Sequence, residues 1–239
     1  MRVLAIECSV TPGSIAVLDG EQCLERRSLP AERRTTQALT PMLDALLKDV
    51  GWQPTDMQLV ATTIGPGSFT GLRVGVTTAK TFAYATNAAV AGIHTLRVVA
   101  EQAADWWRES HGESPARIHA VMDAQRQQLF AMRCEIRELA HIIEPSVDIV
   151  DQAAWLVKLS GEIEDEIPAL LAGPIPASLI PRLPAACQLP AERVRVPDAA
   201  TVGRLAARGL GLPQANDLWS LTPIYYRRSA AEEKLVPET

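Results

Sequence analysis

Residues 59–80 read LVATTIGPGSFTGLRVGVTTAK, and the order of residue types in them establishes the class of fold. The first six residues form an apolar run rich in β-branched side chains, which predicts a buried strand. A loop with three glycines comes next, and residues 72–85 continue as a helix. The loop consists of Gly65, Pro66, Gly67, Ser68, Phe69, Thr70 and Gly71. A buried strand joined to a helix in this way predicts an α/β fold.

The glycine-rich loop could bind an anion, because backbone N–H groups at the start of a helix point toward a bound phosphate. A P-loop ends in Gly-Lys-Ser/Thr, whereas Gly71 is followed by Leu72 and Arg73. A dinucleotide-binding fold needs an acidic residue about 20 positions further on, and the next one here is Glu101. The favoured interpretation is structural: glycines permit a sharp turn and close helix packing. An anion site is the less favoured alternative.

The helix after the loop carries unusually little charge. Between residues 72 and 85 the charged side chains are Arg73 and Lys80, although a helix with one covered face normally has a charged outer face. The apolar positions of the preceding helix, residues 39–50, cover an arc of about 140°. These helices either bind a partner or are covered by other parts of the chain. The partner hypothesis assigns the interface to Leu39, Met42, Leu43, Leu46, Leu72, Arg73, Val74, Val76, Thr77, Ala79, Lys80 and Phe82.

The first half of the chain begins with a β-meander. The expected strands are residues 3–6, 14–18, 22–28, 59–64 and 90–93, and the expected helices are residues 39–50, 72–85 and 96–107. Asp19-Gly20 suits a type I′ turn between the second and third strands, and Gly51 ends the first helix.

The pattern starts again after a polar boundary at residues 108–115. A strand at residues 119–122 ends in Asp123, as the strand at residues 3–6 ends in Glu7, and a second strand comes next in each half. This weak internal duplication predicts two side-by-side α/β lobes, each a mixed β-sheet with helices. The expected lobes are residues 1–105, completed by 215–232, and the smaller 106–214. Dense prolines predict mostly loop with one short helix at residues 168–197, followed by a small helix at 201–209 and an extended tail at 223–228.

Composition and charge exclude several classes of function. The chain has 23 Lys and Arg and 28 Asp and Glu, and its net charge of −5 gives no basic surface for tight autonomous binding to RNA or DNA. Four widely spaced cysteines indicate free thiols in a reducing compartment. No apolar run has the length of a signal peptide or a membrane span. We therefore expect a cytoplasmic protein without membrane contact.

No residues have the spacing of a catalytic or metal-binding motif. None of the four histidines pairs at i+3 or i+4, and a G-x-S-x-G motif is absent. Glu7 and Asp123 resemble the paired carboxylates of a phosphotransferase cleft. The second lobe's glycine turn, however, contains Pro174 and Pro176, which lack the N–H groups that hold a phosphate. We expect no catalytic residue, no metal and no cofactor.

The loop and helix at residues 65–80 resemble the signature of the bacterial TsaB (YeaZ) family. Further similarity lies in residues 3–7, in Thr36-Gln37 with Pro41-Met42, in Asp123-Ala124-Gln125 with 128–130, and in residues 223–227 with 231–234. The resemblance implies the two-lobed actin/hexokinase/Hsp70-like (ASKHA) fold. It also implies a non-catalytic subunit that pairs with a related transferase, TsaD, which carries the metal and the chemistry, and that is joined by an ATPase, TsaE.

The same resemblance implies a role in making threonylcarbamoyladenosine at position 37 of tRNAs that read ANN codons, with tRNA contacted indirectly. It further implies that the two helices pair with TsaD or with a second copy of the chain. Three positions depart from the family pattern: Glu7 stands for Asp, Thr35 stands for His, and the His-x-x-x-His slot of metal-binding relatives holds His94 alone.

Two other functions are open at this point. A stand-alone nucleotide-dependent enzyme or peptidase of the same superfamily would bind ATP or a metal by itself. An RNA-binding module would use Arg33, Arg34, Arg73, Arg227 and Arg228, although scattered arginines on an acidic chain are more often solvated surface.

Overall fold

The computed structural model describes residues 1–142, 145–162, 167–211 and 217–227. The strands are β1 (Arg2–Glu7), β2 (Ser14–Asp19), β3 (Gln22–Ser28), β4 (Leu59–Gly65), β5 (Ala89–His94), β6 (Arg117–Asp123), β7 (Gln128–Glu135), β8 (Asp148–Asp151) and β9 (Ala169–Ala172). The helices are α1 (Thr35–Asp49), α2 (Phe69–Thr86), α3 (Thr95–His111), α4 (Gln152–Glu162), α5 (Glu192–Arg195) and α6 (Ala199–Ala207). No helix in these ranges is both long and apolar enough to cross a membrane.

Strand pairing repeats between two sheets, which lie at the centres of two lobes. The first sheet has the order β3-β2-β1-β4-β5, and the second has the order β8-β7-β6-β9. In each sheet the first strand pairs antiparallel with the next one and parallel with a later one, β4 or β9. The predicted duplication and the two-lobed α/β fold are therefore confirmed.

β1 lies in the middle of the first sheet and buries both of its faces. Leu4 and Ile6 share a core with α1 and α2, whereas Val3 and Ala5 share a core with α6. Alternate residues of a strand point to opposite faces, so a strand that is covered on both sides needs a continuous apolar run.

The second sheet is also covered on both faces. Ile118 and Ala120 of β6 share a core with α3, and Val121 on the opposite face shares a core with α4. The region at 168–197, expected to be mostly loop, contributes β9 as well as the short α5. The local pattern does not show β9, because this strand has four residues and depends on parallel pairing with β6.

Helix α6 packs on the first sheet, although residues 106–214 were expected to form the second lobe. Val202 and Leu205 are fully buried in a core with Leu18 of β2. Gly203 permits this approach, because a Cβ atom there would lie 2.3 Å from Leu18 Cδ1. The division is therefore corrected: the chain returns to the first lobe by Ala199. Of the expected completion at 215–232, Leu218, Leu221 and Ile224 pack on the first lobe, whereas Arg227 contacts the second lobe. Residues 215, 216 and 228–232 fall outside the described residues.

The turn between β2 and β3 lies one residue later than predicted. Asp19 pairs with Gln22, so Gly20 and Glu21 form the two-residue loop. Gly20 has φ +57° and Glu21 has no positive φ. The expected type I′ turn at Asp19-Gly20 is wrong, because that turn requires positive φ at both loop residues.

Candidate partner interface

The glycine-rich loop packs closely against the connection that leaves β1. A Cβ atom on Gly71 would lie 2.0 Å from the Cys8 carbonyl oxygen, and one on Gly67 would lie 2.5 Å from that of Ser9. Ser68 donates its backbone N–H to the Ser9 carbonyl over 2.7 Å, and its hydroxyl accepts the N–H of Gly71 over 3.2 Å. Side chains at these positions would prevent the contact. The structural interpretation of the glycines therefore accounts for them without a bound anion.

Helix α2 turns one face toward its own sheet and the other toward solvent. Val76 and Ala79 are buried in the core that contains β1 and β4. On the opposite face Arg73, Thr77 and Tyr84 are exposed. The low charge of α2 is thus explained only in part, because the chain's own sheet covers one face. The other face is exposed and still carries mostly uncharged side chains.

Six of the twelve predicted interface residues lie inside the chain. Their exposed fraction is 4% or less, and they are Leu39, Leu43, Leu46, Leu72, Val76 and Ala79. For these residues the expectation is corrected, because the first lobe itself covers them and no partner can reach them in this conformation. The other six reach the surface at least in part, and they are Met42, Arg73, Val74, Thr77, Lys80 and Phe82. Contact between these six and a partner stays a prediction.

A segment near the end of the chain lies along α2, and no local pattern in the sequence assigns it to the interface. We call residues 217–227 the strap. Leu221 is buried in the core of the first lobe, and Ile224 donates its N–H to a carbonyl oxygen of β4 over 2.7 Å. Lys80 Nζ donates to the carbonyl oxygens of Trp219 and Leu221 over 3.4 and 3.1 Å. These contacts fix the strap to α2 and to the sheet below it.

Aromatic side chains surround the exposed face of α2. The Arg73 guanidinium lies 3.8 Å from the ring centroid of Phe69, and Arg73 Nε donates to the Tyr225 hydroxyl over 2.9 Å. Trp219 and Tyr84 are each 74% exposed. Exposed Trp, Tyr and Arg are the side chains most enriched at the energetic centres of protein interfaces. This face therefore has the composition of a protein-binding surface.

A cleft of about 740 Å³ lies between the two lobes. The glycine-rich loop lines it from the first lobe, and Asp123 lines it from the second. Asp123 is exposed and accepts the N–H of Gln125 over 2.8 Å. Glu7 is fully buried and does not line the cleft. The expectation that Glu7 and Asp123 form a pair of carboxylates in the cleft is therefore wrong.

Glu7 is instead a buried carboxyl group at the end of β1. Its Oε1 accepts the Ser9 N–H over 2.6 Å, the Ser9 hydroxyl, and the Thr63 hydroxyl over 3.3 Å. Its Oε2 has no hydrogen-bond partner in the described part of the chain. Burial raises the pKa of Glu7 to about 7, and the hydrogen bonds from Ser9 and Thr63 only partly offset this effect.

Residues 174–176 in the glycine turn of the second lobe offer no N–H donor to a phosphate. Gly173 has φ +94°, and a Cβ atom there would lie 2.1 Å from the Val121 carbonyl oxygen. Ile175 donates its N–H to the Gly173 carbonyl over 2.9 Å. Pro174 and Pro176 have no N–H. This turn therefore presents no free backbone N–H from residue 174 to residue 176.

Two of the histidines, His94 and His119, have protein side chains as neighbours. His94 Nδ1 lies 3.1 Å from the Tyr226 hydroxyl. His119 is buried, and loss of hydration lowers its pKa to about 4, although the Glu162 carboxylate 3.6 Å away acts in the opposite direction. Within the ranges that the structure describes, no three His, Cys, Asp or Glu side chains form a group able to hold a metal ion.

The arginines of the RNA-binding hypothesis lie on different elements. Arg33 and Arg34 precede α1 and are exposed, whereas Arg73 lies on α2. Arg227 donates to a backbone carbonyl of the β6–β7 turn over 2.6 Å. Arg228 lies outside the described residues. Three different elements thus carry the described arginines, and RNA binding by them stays a prediction.

Comparison with known proteins links this geometry to one family. The family model described as "TsaD: tRNA N6-adenosine threonylcarbamoyltransferase" matches residues 29–232. The Escherichia coli protein named tRNA threonylcarbamoyladenosine biosynthesis protein TsaB is 32% identical over 131 residues, which cover 54% of this chain and 53% of the relative. The Bacillus subtilis protein of the same name is 27% identical over 174 residues, covering 72% of this chain and 71% of the relative.

The solved structure of YeaZ from Pseudomonas aeruginosa has the same fold. It superposes with a TM-score of 0.65 and 21% identity, covering 94% of this chain and 99% of that chain. The match to the Escherichia coli relative spans only about half of that protein's length. The chain belongs to the TsaD family of tRNA N6-adenosine threonylcarbamoyltransferases, and within it to the TsaB (YeaZ) proteins.

Proposed function

We propose that this chain is an accessory subunit for threonylcarbamoylation of adenosine 37 in ANN-decoding tRNAs, and that it dimerises with and activates a catalytic TsaD-like subunit. The relatives from Escherichia coli and Bacillus subtilis carry the name of this biosynthesis. A TsaE-like ATPase joins the complex, tRNA is contacted indirectly, and the complex works in the cytoplasm. A second copy of the chain is the alternative partner when the transferase is absent.

The observation that carries the proposal is the outer face of α2. This face is exposed, it has no acidic side chain, and it is bordered by aromatic rings of the loop and the strap. Aromatic rings beside a helix face that carries cations but no carboxylate favour docking on a partner surface that supplies the opposite charge.

The cleft supports a role without catalysis by this chain. Residues 174–176 of the second lobe's glycine turn present no free N–H to a phosphate, and Glu7 is buried and does not line the cleft. A subunit with these features contributes a surface and leaves the chemistry to its homologous partner.

The docking face is tested by placing a charge at its centre. Thr77 is exposed, so Thr77→Glu leaves the core intact but puts a carboxylate into the proposed interface, where it can pair with Arg73 or Lys80 one helical turn away and repels the carboxylates of a partner. We expect the affinity for the purified transferase subunit of the same organism to fall by about tenfold or more. Calorimetry measures the affinity, and nucleoside analysis of tRNA measures the modification in a reconstituted reaction.

The matched control is Val157→Glu on α4 of the second lobe, where the side chain is 75% exposed. This variant should pair and support modification like the wild type. Normal pairing by Thr77→Glu would contradict the proposed face. The rival function, a stand-alone nucleotide-dependent enzyme or peptidase, requires the isolated chain to bind Mg-ATP with micromolar affinity in the same calorimeter.

A further inference from the structure

The strap presents an exposed tryptophan on a fixed backbone. Trp219 is 74% exposed, although its carbonyl oxygen accepts a hydrogen bond from Lys80 and the chain is buried again two residues later at Leu221. The other tryptophans are covered to a much greater degree: Trp107 and Trp155 are 3% and 6% exposed, and Trp52 and Trp106 are half-buried. Trp219 therefore differs from the remaining tryptophans in leaving most of its ring surface open to solvent.

An immobilised but exposed tryptophan is well suited to binding. Ordering flexible groups at an interface opposes association, and a backbone that is already fixed reduces this cost. Tryptophan is also among the residues most enriched at the points that dominate binding energy. Tyr84, equally exposed, lies one helical turn after Lys80 on the face of α2 that the strap borders.

We propose that the strap forms one wall of the docking face and that Trp219 inserts into the transferase subunit as an anchor. This inference rests on the proposed function and adds to it a part of the chain outside the two helices. The interface then consists of α2 and a segment about 140 residues further along the chain, joined by the contacts of Lys80.

The charges beside the strap indicate which partner occupies the face. Arg73 and Lys80 form no ion pair with a carboxylate in the described ranges: Arg73 contacts Phe69 and Tyr225, and Lys80 contacts backbone carbonyl oxygens. In a two-fold dimer the same patch of each copy faces the other. A second copy therefore brings the two cations Arg73 and Lys80 and, in the described α2 and strap, only one carboxylate, Asp217, whose Oδ1 already accepts the Trp219 N–H. A homologous subunit that carries carboxylates satisfies both cations.

The experiment labels this chain alone with 5-fluorotryptophan and records ¹⁹F spectra with and without the unlabelled transferase subunit. The Trp219→Phe variant assigns the Trp219 signal, and the difference in chemical shift between H₂O and D₂O reports its exposure. We expect the Trp219 signal to shift and to lose its solvent dependence in the complex. The signal of Trp155, in the second lobe, should not change.

Affinity measurements separate this inference from the proposed function. Trp219→Ala should weaken transferase binding by about tenfold or more, with partial recovery in Trp219→Phe. If Thr77→Glu loses pairing while Trp219→Ala binds like the wild type and the labelled Trp219 stays solvent-exposed, the strap inference fails and the proposed function stands. If the Trp219 signal loses its exposure only as the chain alone is concentrated, the occupant is a second copy and the inference is overturned.

Discussion

The two lobes share the order of four strands, to which the first lobe adds β5, but they differ in the segments that come after the equivalent strands β4 and β9. In the first lobe, β4 leads through the glycine-rich loop into the 18-residue α2, which keeps one face exposed. In the second lobe, β9 leads into a turn with two prolines and then into short segments, before the chain returns to the first sheet as α6. The same sheet topology is thus followed by an exposed helix in the first lobe, whereas the corresponding segment of the second lobe only lines the cleft.

The ends of β1 and β6 show a second difference between the lobes. Glu7 ends β1 in complete burial, whereas Asp123 ends β6 exposed in the cleft. In the second lobe the buried groups include His119, in the middle of β6. The lobes therefore bury ionisable groups of opposite type, and this contrast makes their stabilities respond to pH in opposite directions.

The largest expected effect comes from a charge on the inner face of α2. Ala79 is fully buried, and Ala79→Glu forces an unpaired carboxylate into the core of the first lobe. We expect the free energy of unfolding to fall by about 3–5 kcal/mol. Urea denaturation followed by circular dichroism measures it.

The control for this variant is again Val157→Glu, whose effect on stability should stay within about 0.5 kcal/mol. If Ala79→Glu instead keeps the wild-type stability and loses only transferase binding, the inner face of α2 opens to the partner. The structure, in which the first sheet covers Ala79, would then not be the conformation that binds.

The hydrophobic pattern predicted those strands and helices that are determined by residues close together in the sequence. The run at residues 3–6 predicted a buried strand, and the likeness of Glu7 and Asp123 as strand ends predicted the duplication, which the strand pairing confirms. The pattern did not reveal β9 or the return of α6 to the first sheet. Both depend on pairing and packing with residues far away in the sequence.

The interface prediction shows the same limit. The apolar positions of α1 and α2 show how much surface must be covered, but they do not show what covers it, and for Leu39 and Val76 the cover is the first lobe itself. Residues 215–232 were expected to complete the first lobe, but the strap was not assigned to the interface because residues 217–227 have no periodic pattern. Its place is set by contacts of Lys80 and Ile224 across more than a hundred residues.

The pH dependence contributed by the first lobe arises from Glu7. The pKa of Glu7 is raised from 4.5 to about 7 in the folded state, chiefly by burial, so the folded chain holds a proton that the unfolded chain releases. Stability from this group is complete below about pH 4.5 and is lost as the pH rises through about 7, by about 3 kcal/mol. Urea denaturation at a series of pH values measures this loss.

Glu7→Gln is the matched control, because an amide keeps an acceptor for Ser9 but does not titrate in this range. The difference in stability between wild type and variant should change with pH between about 4.5 and 7 and be constant elsewhere. A constant difference across this window would mean that Glu7 is already ionised in the folded chain.

The smallest of these effects, and opposite in sign, is expected from His119 in the second lobe. Burial lowers its pKa from 6.5 to about 4, so the unfolded chain binds a proton that the folded chain does not. Stability from this group is complete above about pH 6.5 and falls as the pH decreases, by about 2 kcal/mol at about pH 5. In His119→Gln this loss should disappear while the loss due to Glu7 persists at higher pH. If wild type and His119→Gln lose the same stability between about pH 6.5 and 5, Glu162 at 3.6 Å offsets the effect of burial on the pKa of His119, and Glu7 and His119 do not contribute opposite pH dependences.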